Sequence, residues 1–174
     1  KLGDEYGNIT KTNPTKIQIE FVSVNPTGPL HVGHARGAVL GSSLASIIQA
    51  SGDIVSKEYY INDAGNQIDL FVQSVYSKYS TLIGEKYPMP DNGYMGDYIK
   101  EIAKEIHDDN NKTKLNEETI KPIALDKMLS NIRLDLLNLN VEFDNWFSEK
   151  SLFTSGEFDD TMNQFERKDE VLEK

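Results

Sequence analysis

The sequence predicts an α/β fold in which parallel strands alternate with helices, and three segments support this fold class. Residues 17–22 alternate and are rich in β-branched and aromatic side chains, and residues 54–61 have the same character, so both are predicted strands. Residues 32–50 lie between them and carry small and apolar side chains at helical spacing. A strand, a helix and a second strand form a βαβ unit, in which the strands lie parallel and the crossover is right-handed.

The remaining elements are predicted in chain order from the same signals. Residues 1–16 are polar and contain several Gly and Asn residues, which predicts an irregular lead-in. Five turn formers at residues 25–29 end the first strand, and residues 84–93, with two prolines, interrupt the helical pattern. Further elements are expected at residues 68–83, 94–106, 117–139 and 156–168 as helices and at 141–147 as a third strand.

The composition limits the classes of protein to which the chain can belong. Its 174 residues include 28 acidic and 18 Lys and Arg side chains, so the net charge of −10 argues against holding nucleic acid by general basic attraction. The chain has no cysteine, which excludes disulfides, zinc–cysteine sites, iron–sulfur clusters and a thiol nucleophile. There is no apolar run long enough to span a membrane and no apolar signal core near the N-terminus. We therefore expect a cytoplasmic protein without a membrane partner.

The segment most informative about function is residues 25–34, Asn-Pro-Thr-Gly-Pro-Leu-His-Val-Gly-His, which joins the first strand to the first helix. Open α/β sheets bind ligands beyond the carboxyl ends of their strands, and the free N–H groups of a helix N-terminus favour phosphate. His31 and His34 share one face of the first helical turn, where an imidazole N–H can donate to a phosphate oxygen. Gly33 leaves room for a flat ring such as adenine against the backbone. From the residues alone, two surface histidines near a turn remain an alternative.

Four segments of the chain resemble one protein family. Residues 20–25, with the segment that follows them, resemble the signature region of arginyl-tRNA synthetases, a class I aminoacyl-tRNA synthetase family. His31-Val32-Gly33-His34 is similar to the class I HIGH motif, with Val in place of Ile. Residues 58–65, 92–99 and 143–152 resemble the same family in the same order. The resemblance therefore spans nearly the whole chain, and the residues of the signature region resemble bacterial rather than eukaryotic members.

This resemblance implies a fold, a domain organisation and an activity. The fold would be a Rossmann-like nucleotide-binding fold, the first half of a class I synthetase catalytic domain with parallel strands and a helical insertion. Residues 1–16 would be the lead-in and residues 17–174 a partial catalytic domain, with residues 84–140 mostly helical. The implied activity is the charging of arginine tRNA, in which L-arginine reacts with ATP to give arginyl-adenylate before transfer to the tRNA. ATP would be a substrate with Mg²⁺ carried by the nucleotide, and no resident metal is expected.

The resemblance also assigns roles to individual residues. His31 and His34 would be the catalytic pair that faces the ATP phosphates and ribose, with Gly33 under the adenine. Arginine would be bound by Glu20, Ser23, Asn25 and His34, with Asn62 and Asp63 as a possible pocket wall. Strand alternation places Ser23 and Asn25 on one face and Glu20 on the other. Plain turn chemistry and helix capping are the alternative for Ser23, Asn25 and Asp63. Tyr94, Tyr98, Trp146 and Phe147 are interpreted as packing residues.

Other parts of the family pattern have no counterpart in this sequence. They are the later Lys-rich signature loop, the residues that hold the arginine guanidinium, the anticodon-binding domain and an N-terminal add-on domain. We therefore expect a fragment whose parent is the enzyme, inactive alone and prone to self-association through an open sheet edge. Two alternatives remain, a small ATP-dependent nucleotidyltransferase of the same H-x-G-H superfamily and a non-catalytic binding module. Arginine-dependent adenylate formation would distinguish them.

Overall fold

A three-stranded parallel sheet organises the structure. The computed structural model describes residues 3, 6–110 and 114–167. Strands β1 (Lys16–Glu20), β2 (Ile54–Ile61) and β3 (Asn145–Ser148) lie in the order β1-β2-β3, and both strand pairs are parallel. The predicted α/β class with parallel strands is confirmed.

Six helices complete the described part of the chain, and three of them form a separate layer of the core. Helix α1 connects β1 to β2, whereas α2, α3 and α4 follow β2 in sequence and pack on one another before the chain returns to β3. Among the described residues, no helix is both long and apolar enough to cross a lipid bilayer. The helices are α1 (Val32–Ala50), α2 (Asn66–Leu82), α3 (Asp97–Asp109), α4 (Glu117–Asn138), α5 (Glu149–Thr154) and α6 (Glu157–Arg167).

The first strand ends earlier than the sequence predicts. It was expected to reach residue 22 but ends at Glu20, because Val22 and Ser23 adopt left-handed backbone conformations with φ of 67° and 45°. A β-branched residue in this region costs on the order of 1–3 kcal/mol, so surrounding contacts must hold it there. One such contact replaces the strand ladder: the backbone N–H of Tyr60 donates to the Ser23 hydroxyl at 3.0 Å. The strand alternation expected for Ser23 and Asn25 therefore does not apply.

The third strand is also shorter than predicted, for a comparable reason. The expectation was residues 141–147, whereas β3 begins at Asn145. The Asp144 carboxylate accepts from the backbone N–H of Lys57 at 2.7 Å, and the Asp144 N–H donates to the Lys57 carbonyl at 2.9 Å. Because a side chain takes the place of a backbone acceptor here, the regular ladder starts only at the next residue. Helix α5, which follows β3 directly, was not predicted.

The apolar core lies between the sheet and the helices and fixes the position of α1. It combines Ala38 of α1 and Tyr59 and Ile61 of β2 with one face each of α2, α3 and α4. Helix α1 lies close to the β1 end because position 41 is glycine: a Cβ there would lie 2.3 Å from the Phe21 ring. This contact sets the distance between α1 and the end of β1.

Candidate active site

The predicted site residues lie at one edge of the sheet, where the three parallel strands end. The loop of residues 21–31 follows β1, residues 62–65 follow β2, and α5 follows β3. Side chains join these three segments: the Ser23 hydroxyl binds the β2 backbone, and the Ser148 hydroxyl donates to the Asp63 carboxylate. The carboxyl-terminal edge of an open parallel sheet is the usual ligand site of such folds.

His31 and His34 form a reciprocal cap at the start of α1. The backbone N–H of Gly33 donates to His31 Nδ1 at 3.1 Å, and the backbone N–H of His31 donates to His34 Nδ1 at 3.3 Å. The two rings are stacked, with centroids 3.5 Å apart and planes inclined by 23°. The two histidine side chains thus accept hydrogen bonds from backbone N–H groups of the first turn, as Ser or Thr and Glu side chains do in a conventional capping box. The structure brings the two histidines together, as their spacing predicts.

The cap fixes which ring nitrogen carries the proton. Since Nδ1 of each ring accepts a backbone hydrogen bond, Nδ1 is unprotonated and the neutral ring carries its proton on Nε2. Both residues can therefore donate from Nε2 while Nδ1 stays engaged. The pKa of His34 is lowered from its ordinary value by partial burial and by the neighbouring His31, which favours the neutral, capping form.

Gly33 lies against the His31 ring, whereas the sequence suggested room for a flat ligand ring at this position. A Cβ at this position would lie 2.9 Å from His31 Cε1 and 3.1 Å from His31 Nδ1. The absent side chain therefore makes room for the His31 ring, and a larger residue at position 33 would displace the cap. Binding of adenine at Gly33 stays a prediction.

The strained loop between β1 and α1 is held by a buried tyrosine of β2. The Tyr59 hydroxyl accepts from the Val24 N–H at 3.2 Å and donates to the Val24 carbonyl at 3.0 Å. Tyr59 is fully buried, and this burial raises its pKa to about 12, so the hydroxyl keeps its proton. Its ring stacks on Trp146 at 4.3 Å between centroids. The aromatic layer of the core thus supports the loop directly.

Two further side chains from outside the loop bind it. The Tyr98 hydroxyl, at the start of α3, donates to the carbonyl of buried Thr27 at 2.8 Å. The Asn25 side-chain amide donates to the side-chain oxygen of Gln67, in the first turn of α2. Tyr98 therefore has a specific hydrogen bond as well as the packing role that was predicted for it.

Three carboxylates at this edge of the sheet act electrostatically on Tyr60. They are those of Glu20 at the end of β1, Asp63 after β2 and Glu149 after β3. Burial raises the pKa of Tyr60, and the negative charges of Glu149, Asp63 and Glu20 together with a hydrogen bond to Glu149 raise it further. We call these three residues the acidic edge. Such an arrangement is suited to a ligand that carries a positive charge.

Asn62 and Asp63, the predicted pocket wall, also connect β2 to the end of β3. The Asp63 carboxylate accepts from the Ser148 hydroxyl and, at 2.9 Å, from the Lys150 N–H. With its amide nitrogen facing the neighbouring oxygens, Asn62 donates to the Ala64 carbonyl at 3.0 Å and to Glu149 at 2.9 Å. These bonds give Asn62 and Asp63 a structural role at the edge, whereas a role toward a ligand stays a prediction.

Several residues of this edge were missed by sequence reasoning. Tyr60 and Glu149 lie in segments that resemble the family, yet no pattern in the sequence shows that they meet. Gln67 and Tyr59 act through single hydrogen bonds to residues 42 and 35 positions away. A polar or aromatic residue next to a strand end was the only available signal.

The comparisons with known proteins point in one direction. A family model described as tRNA synthetases class I (R), catalytic domain, matches residues 2–137. The arginine–tRNA ligase of Oceanobacillus iheyensis is 50% identical over 166 residues, which cover 92% of this chain and 30% of that protein. The arginine–tRNA ligase of Bacillus subtilis is 42% identical over 179 residues, covering 99% of this chain and 32% of that protein.

Solved structures agree with the sequence relatives. A Campylobacter jejuni structure described as an arginyl-tRNA synthetase superposes with a TM-score of 0.83 at 33% identity, covering 99% of this chain and 39% of that one. Thermus thermophilus arginyl-tRNA synthetase gives a TM-score of 0.61 at 20% identity, covering 92% and 28%, which shows a common fold. The chain thus spans about a third of the length of the curated relatives it matches.

The alternatives of a small nucleotidyltransferase and of a non-catalytic module gain no support from these relatives. The family match covers the loop of residues 21–31, the acidic residues Glu20 and Asp63, and helices α1 to α3. The chain belongs to the arginine-specific class I tRNA synthetase family, in its catalytic domain.

Proposed function

We propose that the protein containing this chain is an arginine–tRNA ligase, and that this chain provides part of its ATP and arginine site. The observation that carries the proposal is the histidine cap of α1, which leaves two Nε2–H donors at a helix N-terminus. Membership in the family supports the choice of arginine as the amino acid.

The reaction requires positioning and charge stabilisation rather than a protein nucleophile. An oxygen of the arginine carboxylate attacks the α-phosphorus of ATP, the bond to the bridging oxygen breaks, and pyrophosphate leaves with the Mg²⁺ that entered with the nucleotide. His31 and His34 donate hydrogen bonds to phosphate or ribose oxygens as negative charge moves toward the leaving group. A ribose hydroxyl of the tRNA then attacks the carbonyl carbon, loses its proton and releases AMP.

The acidic edge provides the counterpart for the amino acid. Arginine carries two cationic groups, and carboxylates bind such groups through charge-assisted hydrogen bonds. Glu20, Asp63 and Glu149 are already close enough to one tyrosine to raise its pKa together. Asn25 and His34 also bind arginine in this proposal, whereas Ser23 contributes through the loop because its hydroxyl accepts from the Tyr60 N–H.

Arginine-dependent exchange of labelled pyrophosphate into ATP, run in the presence of arginine tRNA, tests the proposal. The intact natural protein that contains these residues should show exchange with arginine and much less with citrulline, a neutral analogue of nearly the same shape. Lysine, which is charged but lacks the planar guanidinium, is the second control. Exchange that proceeds equally without arginine, or no exchange with any amino acid, would contradict the proposal.

A further inference from the structure

The hydrogen bond between Asn25 and Gln67 has no part in the function proposed so far. It joins the loop after β1 to the first turn of α2, across 42 residues of sequence. Gln67 is exposed and is the second residue of its helix, whereas Asn25 is half-buried. Asn25 is thus held by a residue of a regular helix and not by the loop itself.

This bond determines which end of the Asn25 amide is free. The Asn25 nitrogen donates to the Gln67 side-chain oxygen, so the carbonyl oxygen of Asn25 is the end left for another partner. A carbonyl oxygen accepts hydrogen bonds, whereas a free amide nitrogen would donate them. The orientation therefore selects a ligand group with N–H donors.

The chemistry of the reaction indicates which ligand group this is. The substrate carboxylate must meet the α-phosphate near the histidine cap, and the ammonium group is attached to the carbon next to that carboxylate. Asn25 belongs to the same loop as His31, the residue that begins the cap. The residues that hold the guanidinium have no counterpart in this sequence, so the ammonium is the cationic group of arginine that remains for this loop to bind.

We propose that Gln67 is a positioning residue that holds the Asn25 amide with its carbonyl oxygen toward the α-ammonium group of the amino-acid substrate. This inference rests on the proposed arginine–tRNA ligase function and adds to it a residue that does not itself touch the substrate. The first turn of α2 thereby takes part in the recognition of the amino acid, although none of its side chains was predicted to do so.

The test uses variants that separate an accepting from a non-accepting side chain at position 67. Gln67→Met removes the acceptor, and we expect the KM for arginine to rise about tenfold while the KM for ATP stays within about twofold. Gln67→Glu keeps an acceptor and should restore the arginine KM. Because Glu also adds a charge, Asn66→Glu on the neighbouring exposed residue is the charge control and should leave both constants near the wild-type values.

An analogue identifies the ligand group. Guanidinovaleric acid is arginine without its α-ammonium, so its inhibition constant in the exchange assay should be the same for Gln67→Met and the wild type. An equal loss for arginine and for this analogue would overturn the assignment to the ammonium group. Thermal unfolding midpoints of Gln67→Met and Gln67→Glu within a few degrees of wild type verify that these substitutions at an exposed position have not altered the fold.

The outcomes separate this inference from the function on which it rests. If the wild-type protein shows no arginine-dependent exchange, the proposed function is wrong. If the wild type is active and Gln67→Met has an unchanged arginine KM, only the inference about Gln67 is wrong. Loss of arginine affinity in Gln67→Glu would likewise overturn it, because an accepting side chain would then fail to hold Asn25.

Discussion

The loop of residues 21–31 and the α2–α4 helical layer are built in opposite ways. The helical layer is held by fully buried apolar side chains such as Phe71 of α2, Ile99 of α3 and Ile132 of α4. Within each of these helices the buried apolar residues recur at helical spacing. The loop contains two residues with left-handed backbone, and side chains from three other elements hold it by hydrogen bonds. Local periodicity thus specifies the helical layer, whereas contacts distant in sequence specify the loop, and the catalytic histidines proposed here depend on the loop.

The largest expected effect concerns the stability of the helical layer. Phe71 is fully buried, so Phe71→Ala should reduce the free energy of unfolding by about 3–5 kcal/mol through lost burial and a cavity. Urea denaturation followed by circular dichroism measures this change. A loss below about 1 kcal/mol would show that the layer relaxes around the cavity and is less tightly packed than the structure indicates.

The next effect concerns catalysis at the loop. His31→Ala and His34→Ala should each reduce adenylate formation by about 2–4 kcal/mol of transition-state stabilisation, as removal of a charge-stabilising donor does elsewhere. His107→Ala, at the third histidine of the chain, is the matched control. His31→Ser separates the two roles, because serine restores a helix cap but provides no donor equivalent to Nε2. Full activity in His31→Ser would contradict a role for the ring in phosphate binding.

A smaller effect is expected from the tyrosine that supports the loop. Tyr59→Phe removes the only side-chain partner shown for the Val24 backbone, and should cost about 1–3 kcal/mol of stability. The KM for ATP should rise as well, because the loop leads into the histidine cap. Trp146 is the only tryptophan and stacks on Tyr59, so its fluorescence reports whether the aromatic layer stays intact. Unchanged stability and unchanged KM would show that the loop holds its shape without this bond.

The Tyr98 hydroxyl should have a milder influence. Tyr98→Phe deletes the bond to the Thr27 carbonyl and should cost about 0.5–1.5 kcal/mol of stability. Tyr94→Phe is the control, since the described structure shows no hydrogen bond of the Tyr94 hydroxyl while its ring packs on Phe71. Denaturation curves of the two variants that coincide would argue against a specific contribution of the Tyr98 bond.

The smallest effect is a dependence of stability on pH. Because the pKa of His34 is lowered in the folded protein, the unfolded chain binds this proton more readily. The neutral His34 ring therefore contributes to the free energy of unfolding above about pH 6.5, the ordinary pKa of histidine. This contribution is lost as the pH falls through the lower pKa of His34 in the folded protein. The difference in unfolding free energy between wild type and His34→Ala should shrink between pH 7.5 and pH 5.5. A difference that grows toward low pH would contradict the assigned direction.

The two regions also differ in how far the sequence predicted them. The bounds of α1 and β2 agree with the prediction because apolar spacing is a local property that the fold reinforces. The early end of β1 was missed because it depends on the bond between Ser23 and Tyr60, 37 residues apart. The proximity of His31 and His34 was predicted from their spacing, whereas the reciprocal cap and the fixed tautomer required the backbone geometry. The roles of the site residues toward ATP and arginine stay predictions.

The central claim is that backbone bonds to Nδ1 leave Nε2–H of both histidines free to donate to phosphate. Long-range proton–nitrogen correlation spectra of the ¹⁵N-labelled 174-residue chain at neutral pH report the protonated nitrogen of each ring directly. The rings of His31 and His34 should both carry their proton on Nε2. A proton on Nδ1 of either His31 or His34 would contradict the account, because that ring could not accept the backbone bond that forms the cap.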